Sequence, residues 1–108
     1  MCNCISYNQP KHSGGTRAEV MLPCPAHLRD SVSEAKRDKG ICVDTCIADA
    51  IQMLWAHRVE TRGCCCGHNR GPASVIIGET EDAERVKALL RDNDSKQWEV
   101  MQWRLVVA

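Results

Sequence analysis

The chain has no phenylalanine and a single tyrosine, Tyr7, so three tryptophans (Trp55, Trp98 and Trp103) are its only other aromatic side chains apart from histidine. Aromatic residues bury the largest areas in most cores. Their scarcity means that Ile, Val, Leu, Met and cysteine must do most of the packing here. Net charge is also lacking, with 14 Lys and Arg set against 14 Asp and Glu. That balance excludes the broad basic field behind non-specific nucleic-acid binding, and equally a polybasic segment that docks on anionic lipid. No apolar run approaches the roughly 18 residues of a membrane span. Met1-Cys2-Asn3-Cys4 opens polar, without the charged-then-apolar start of a secretory signal. A cytoplasmic protein without membrane contact is the expectation.

What the sequence does have is cysteine, eight in 108 residues. A chain of this length buries roughly 65% of its unfolded surface, which is enough for one core and one domain. In a reducing compartment a small cysteine-dense chain is more often a metal protein than a disulfide framework. The even count leaves a disulfide scaffold as the alternative.

Residues 1–16, with Pro10 and Gly14-Gly15, read as an irregular arm whose anchors are Cys2 and Cys4, and residues 17–107 read as an α+β core. Arg17 to Leu22 alternates as a strand and is stopped by Pro23 and Pro25. Pro23 to Gly40 is polar and charged, with a short surface helix near 30–38. Asp44 is placed to cap a helix in which Ile47, Ile51, Leu54 and Trp55 recur at helical spacing up to about His57. Val59 to Cys66 reads as a strand that turns through residues 67–72 into a buried strand, Ser74 to Ile77. Thr80 is placed to cap a second helix, whose acidic first turn and basic later turns suit the helix dipole. A last strand alternates Met101, Trp103, Leu105 and Val107 against Gln102 and Arg104. The order β-α-β-β-α-β predicts a ferredoxin-like antiparallel sheet with two helices on one face, stabilised by zinc.

The zinc expectation comes from Cys64-Cys65-Cys66-Gly67-His68, four soft or borderline ligands within five residues, with a glycine that lets cysteine and imidazole converge. On an extended strand Cys65 shares a face with Val59, Thr61 and Gly63, while Cys64 and Cys66 take the other. Cys46, in the first turn of the main helix, gains thiolate character from the helix dipole. The return of the chain along the following strand brings the CCCGH turn beside that helix start. The N-terminal Cys-x-Cys supplies a fourth ligand. The predicted tetrahedral set is therefore Cys4, Cys46, Cys65 and His68, with Cys2 and Cys66 as substitutes. The bland alternative makes Cys42, Cys46 and Cys64 small core hydrophobes and His68 a polar loop residue.

Across about residues 41–78, Val43-Asp44-Thr45-Cys46-Ile47-Ala48, Leu54, Val59, Thr61 and Cys65-Cys66-Gly67-His68 resemble small uncharacterised phage and bacterial proteins that share a helix, a strand and a CCGH-type turn. Asn69 stands where a glycine is usual after the histidine, and Cys64 where a serine is usual. The resemblance implies a metal site at Cys46, Cys65, Cys66 and His68 with help from Cys2 or Cys4. It also implies a phage-type accessory protein in host cytoplasm: a non-catalytic module that engages a protein or ribonucleoprotein, for instance as an inhibitor of a host defence system such as CRISPR. Arg58, Arg62 and Arg70 are the candidate partner-contacting side chains, and with His57 they also form a thin patch for nucleic-acid phosphate. The alternative is an enzyme. Either an open zinc position works with Asp44 or Glu60 as the proton-moving acid, or the vicinal cysteines do redox chemistry. No HExxH, GxSxG, P-loop or dinucleotide fingerprint is present to favour catalysis.

Overall fold

The computed structural model describes residues 19–67 and 71–104. The expected arm with Cys2 and Cys4, the turn residues His68 and Arg70, and Leu105 and Val107 lie outside the described residues.

The small end of the molecule is built around Gly40. Ser33 accepts the Lys36 N–H at 3.3 Å and starts α1 (Glu34–Lys39), a surface helix with no buried side chain. Gly40 then adopts φ 112°, where a Cβ would sit 2.6 Å from the Leu22 carbonyl oxygen, so only glycine fits between the helix and its neighbouring strand. The chain leaves it as β2 (Ile41–Asp44), antiparallel to β1 (Glu19–Leu22), with Val20 opposite Val43 and Leu22 opposite Ile41. The sequence reading places no strand between Gly40 and Asp44, because a run as short as Ile41-Cys42-Val43 shows no period.

The main helix follows the expected pattern. A 3-10 turn, Thr45–Ile47, leads into α2 (Ala48–Ala56), and Ile47, Ile51, Leu54 and Trp55 are all buried. Its C-terminus is closed in two ways: Arg58 enters the left-handed region at φ 60°, and Arg85 Nη2 donates to the His57 carbonyl at 2.9 Å. The guanidinium satisfies a carbonyl that the helix itself leaves orphaned.

β3 (Thr61–Cys65) and β4 (Ala73–Ile77) pair antiparallel as expected, and α3 (Ala83–Asn93) carries the chain to β5 (Trp98–Gln102). The cap of α3 is Asp82, whose Oδ1 accepts the Glu84 and Arg85 N–H groups at 3.0 and 3.3 Å. Thr80 lies two residues too early to reach those donors. β5 starts and ends earlier than alternation suggested, and its phase is reversed: Met101 and Trp103 are 40% and 43% exposed, while Trp98 and Val100 pack against the core.

The α+β class stands, but the described strands do not form one ferredoxin-like antiparallel sheet. β1 and β2 make a two-stranded sheet, and β3-β4-β5 make a second one in which β4 and β5 run parallel. Placing β5 beside β4 through the α3 crossover makes that pair parallel. β1, turned back by Gly40 onto β2, pairs locally instead of joining the larger sheet. One core nevertheless serves both sheets. Leu22, Leu28 and Val43 belong to the same buried cluster as Ile51, Leu54, Val75, Ile77, Val86 and Leu90.

Candidate functional site

The geometry of the cysteine run is set by a β-bulge. Thr61 faces Ile77 and Gly63 faces Ile76, so Arg62 is an extra residue on β3 and the alternation after it shifts by one. Cys64 consequently lies opposite Val75 and packs on the core, whereas Cys65 lies opposite Ser74 on the sheet's other face. Strict alternation puts Cys65 on the face of Thr61 and Cys64 on the other, and the inserted Arg62 exchanges the two. No residue type in Thr61-Arg62-Gly63 announces the bulge, although the glycine is a common companion of one.

Each of the three adjacent cysteines therefore has its own environment. Burial raises the Cys64 thiol to about 12 from an ordinary 9.0, and the negative charge of Asp44 and Cys65 adds to the effect while Lys36 opposes it. Such a thiol stays protonated and inert near neutral pH. Cys65 sulfur accepts the Gly67 N–H at 3.4 Å. That approach depends on Gly67 at φ 80°, where a Cβ would collide with the Pro72 carbonyl oxygen at 2.7 Å. Cys66 is buried, and its N–H donates to Asp44 Oδ2 at 2.8 Å.

Asp44 is 7% exposed, the one buried charged residue among those described. Its side chain makes no helix-capping hydrogen bond to the Thr45–Ile47 turn, contrary to the sequence expectation. The carboxylate reaches across to Cys66 instead and ties the start of the main helix to the end of β3. The turn holding Cys46 is thereby anchored to the segment holding Cys64, Cys65 and Cys66, and Cys46 itself is half-buried against the core.

Among the described residues, no group of three or more Cys, His, Asp or Glu side chains gathers closely enough to hold a metal ion. Of the expected ligands, Cys46, Cys65 and the substitute Cys66 are described, while Cys2, Cys4 and His68 lie outside the described residues. Cys24, Cys42, Cys64 and Cys65 are free thiols.

The candidate contact arginines have local tasks. Arg58 terminates α2. Arg62, the bulge residue, holds Nε 2.7 Å from Glu60 Oε1 and its guanidinium 5.7 Å from the centre of the Trp103 ring. The Arg62 contact is ionic, since Glu60 Oε1 has no aligned hydrogen-bond donor among the described residues. A Cβ on Gly78 would lie 2.7 Å from Glu60 Oε2, so glycine is what admits this carboxylate. One polar link escaped sequence reasoning altogether: His27 Nε2 donates to the Val59 carbonyl at 2.8 Å and pins the segment after β1 to the start of β3. A single histidine in a Pro-rich loop gives no signal of such a role.

No helix among the described residues is long and apolar enough to cross a membrane. Comparisons with protein-family models, with curated proteins and with solved structures return no match.

Proposed function

We propose that this chain is a zinc-binding, non-catalytic interaction module in which Cys65 and His68 of the CCCGH turn, Cys46 at the start of the main helix and Cys4 hold one structural zinc, with Cys66 and Cys2 as substitutes. The observation that carries the reading is the Gly67 N–H aimed at Cys65 sulfur, in a turn only glycine can make. The Asp44–Cys66 hydrogen bond supports it by anchoring the two ligand-bearing segments to each other. When bound, zinc would cross-link the chain at these thiolates and add on the order of 10 kcal/mol of apparent binding free energy, comparable with the whole stability of a small domain.

Two findings favour an interaction role over an enzyme. Both acids named for proton transfer already have tasks: Asp44 accepts the Cys66 N–H, and Glu60 pairs with Arg62. The raised Cys64 thiol is unsuited to redox exchange, which needs a thiolate. The phage-type setting, including inhibition of a host defence complex, rests on the resemblance of the helix, strand and CCGH segment.

Elemental analysis of Cys65→Ser and Cys64→Ser variants tests the assignment. Zinc should be lost from the first and kept by the second. Retention in both Cys65→Ser and Cys65→Ser/Cys66→Ser, or equal loss from Cys65→Ser and Cys64→Ser, contradicts the ligand set.

A further inference from the structure

The α3–β5 side of the molecule carries a feature that the metal reading leaves unused. An open groove of about 430 Å³ runs between the helix and the last strand, floored by Leu90, Trp98 and Val100 and bordered by Lys87, Arg91 and Lys96. Its own carboxylate, Asp94, is occupied: Oδ2 accepts the Trp98 indole N–H at 2.6 Å, and Oδ1 lies 3.8 Å from the Lys96 ammonium. Lys87 and Arg91 meet Glu84 and Asp92 only in solvent-exposed pairs, 3.3 and 3.7 Å apart. Such pairs hold a side chain weakly, so both cations can turn to a ligand.

Beside this groove lies a sheet edge. In the order β3-β4-β5 the last strand has a neighbour on one side only among the described residues. The Gln97 carbonyl and the Trp103 N–H are both directed at β4, accepting from Ala73 and donating to Ile77. Backbone groups alternate sides along a strand, so those of Trp98, Val100 and Gln102 point outward from the sheet. Trp98 and Val100 thus offer outward main-chain groups and, with the same residues, the groove's apolar floor.

Resting on the reading of the chain as an interaction module, we infer that the β5 edge captures an acidic, extended peptide segment of a partner protein. The segment adds as a fourth strand alongside Trp98, Val100 and Gln102, and its carboxylates meet Lys87, Arg91 and Lys96. Main-chain pairing supplies affinity and the cations select acidic sequence, the division of labour usual in strand addition. A second copy of this chain fits less well, because pairing β5 with itself would bring two sets of the same cations together. A nucleic-acid strand satisfies the cations but offers no main-chain groups to match a strand edge.

Titration of isotope-labelled full chain with a short acetylated peptide of alternating glutamate and valine tests this, followed by amide NMR. Shifts should concentrate on Trp98 to Gln102, binding should weaken as salt rises, and a lysine–valine peptide should not bind. The double variant Lys87→Glu/Arg91→Glu should weaken binding by at least about tenfold, the loss expected when attractive pairs become repulsive. Val100→Pro removes one outward N–H without changing charge and should weaken it comparably, since proline is tolerated on sheet edges. Unchanged affinity in both variants, equal binding of the basic peptide, tighter binding of an oligothymidylate, or dimerisation through β5 would each overturn the inference. A zinc-loaded protein that ignores the acidic peptide overturns the groove alone, and a metal-free protein that binds it overturns the metal centre alone.

Discussion

The two sheets of this molecule are held by different forces. The three-stranded sheet is secured by aliphatic burial: Val75 and Ile77 of β4 are fully buried in one cluster with Ile51 and Leu54 of α2 and Val86 and Leu90 of α3. The two-stranded sheet has no helix of its own with a buried face, since α1 buries nothing. A two-stranded ribbon alone is marginal in water. It contributes Leu22 and Val43 to the shared core, with Val20 and Ile41 packed against it, and polar links run from His27 to the Val59 carbonyl and from Asp44 to the Cys66 N–H. Cys46 and Cys64 to Cys66 sit where these two regimes meet. A metal held by Cys46 and Cys65 would cross-link that seam, whereas the α2–α3 core is already closed by aliphatic burial.

The sharpest contrast concerns the thiols themselves. With its pKa pushed to about 12 against an ordinary 9.0, Cys64 has a thiolate fraction near pH 8 about a thousandfold below that of an ordinary thiol. Alkylation followed by peptide mapping of metal-free protein should therefore label exposed Cys42 long before Cys64. The sign for stability follows from the same shift. Between 9.0 and about 12 the unfolded chain releases a proton that the folded chain keeps, so stability should fall as pH rises through that window.

Removing an aliphatic side chain from the larger region should cost most in stability. Leu54→Ala, at a fully buried position, should lower it by about 2–5 kcal/mol in denaturant titrations. At the seam the losses are smaller and chemically specific. Asp44→Ala leaves the buried Cys66 N–H without its acceptor, at about 1–3 kcal/mol, and Asp44→Asn should recover much of that because the amide oxygen still accepts. Were Asp44→Ala as costly as Leu54→Ala, the division between an aliphatic region and a polar seam would fail.

The smallest effect is expected at the end of α2. Arg58 pays for its left-handed backbone without gaining a side-chain contact that closes the helix, a task Arg85 performs. Arg58→Gly should raise stability by up to about 1 kcal/mol, the strain of a non-glycine residue there, and shift the melting temperature upward by a few degrees.

Much of the larger region was legible in the sequence because its signals are periodic. Ile47, Ile51, Leu54 and Trp55 predict α2 and its buried face, and Ala73 to Ile77 lies within one residue of the expected buried strand. The errors cluster where one residue changes the phase. The unpaired Arg62 exchanged the faces of Cys64 and Cys65, and β5 came in the opposite phase with Met101 and Trp103 outward. Period-two reasoning has no means to register an insertion of one residue. Asp44 illustrates a second kind of error. Its position before a helix made capping the obvious role, yet its partner is the Cys66 N–H, twenty-two positions later in sequence, a tertiary contact that local spacing does not carry. Strand pairing is likewise non-local: nothing in the local pattern of β4, α3 and β5 distinguishes the expected antiparallel sheet from the observed parallel β4–β5 pair.

Metal content per chain tests the central claim most directly, measured by elemental analysis on protein purified without added metal or a polyhistidine tag, together with a count of thiols reactive in the native state. The account predicts one zinc per chain, released only on unfolding or strong chelation, with Cys65 among the protected thiols. A chain that folds fully without metal, with Cys65 freely reactive or paired in a disulfide, would contradict it.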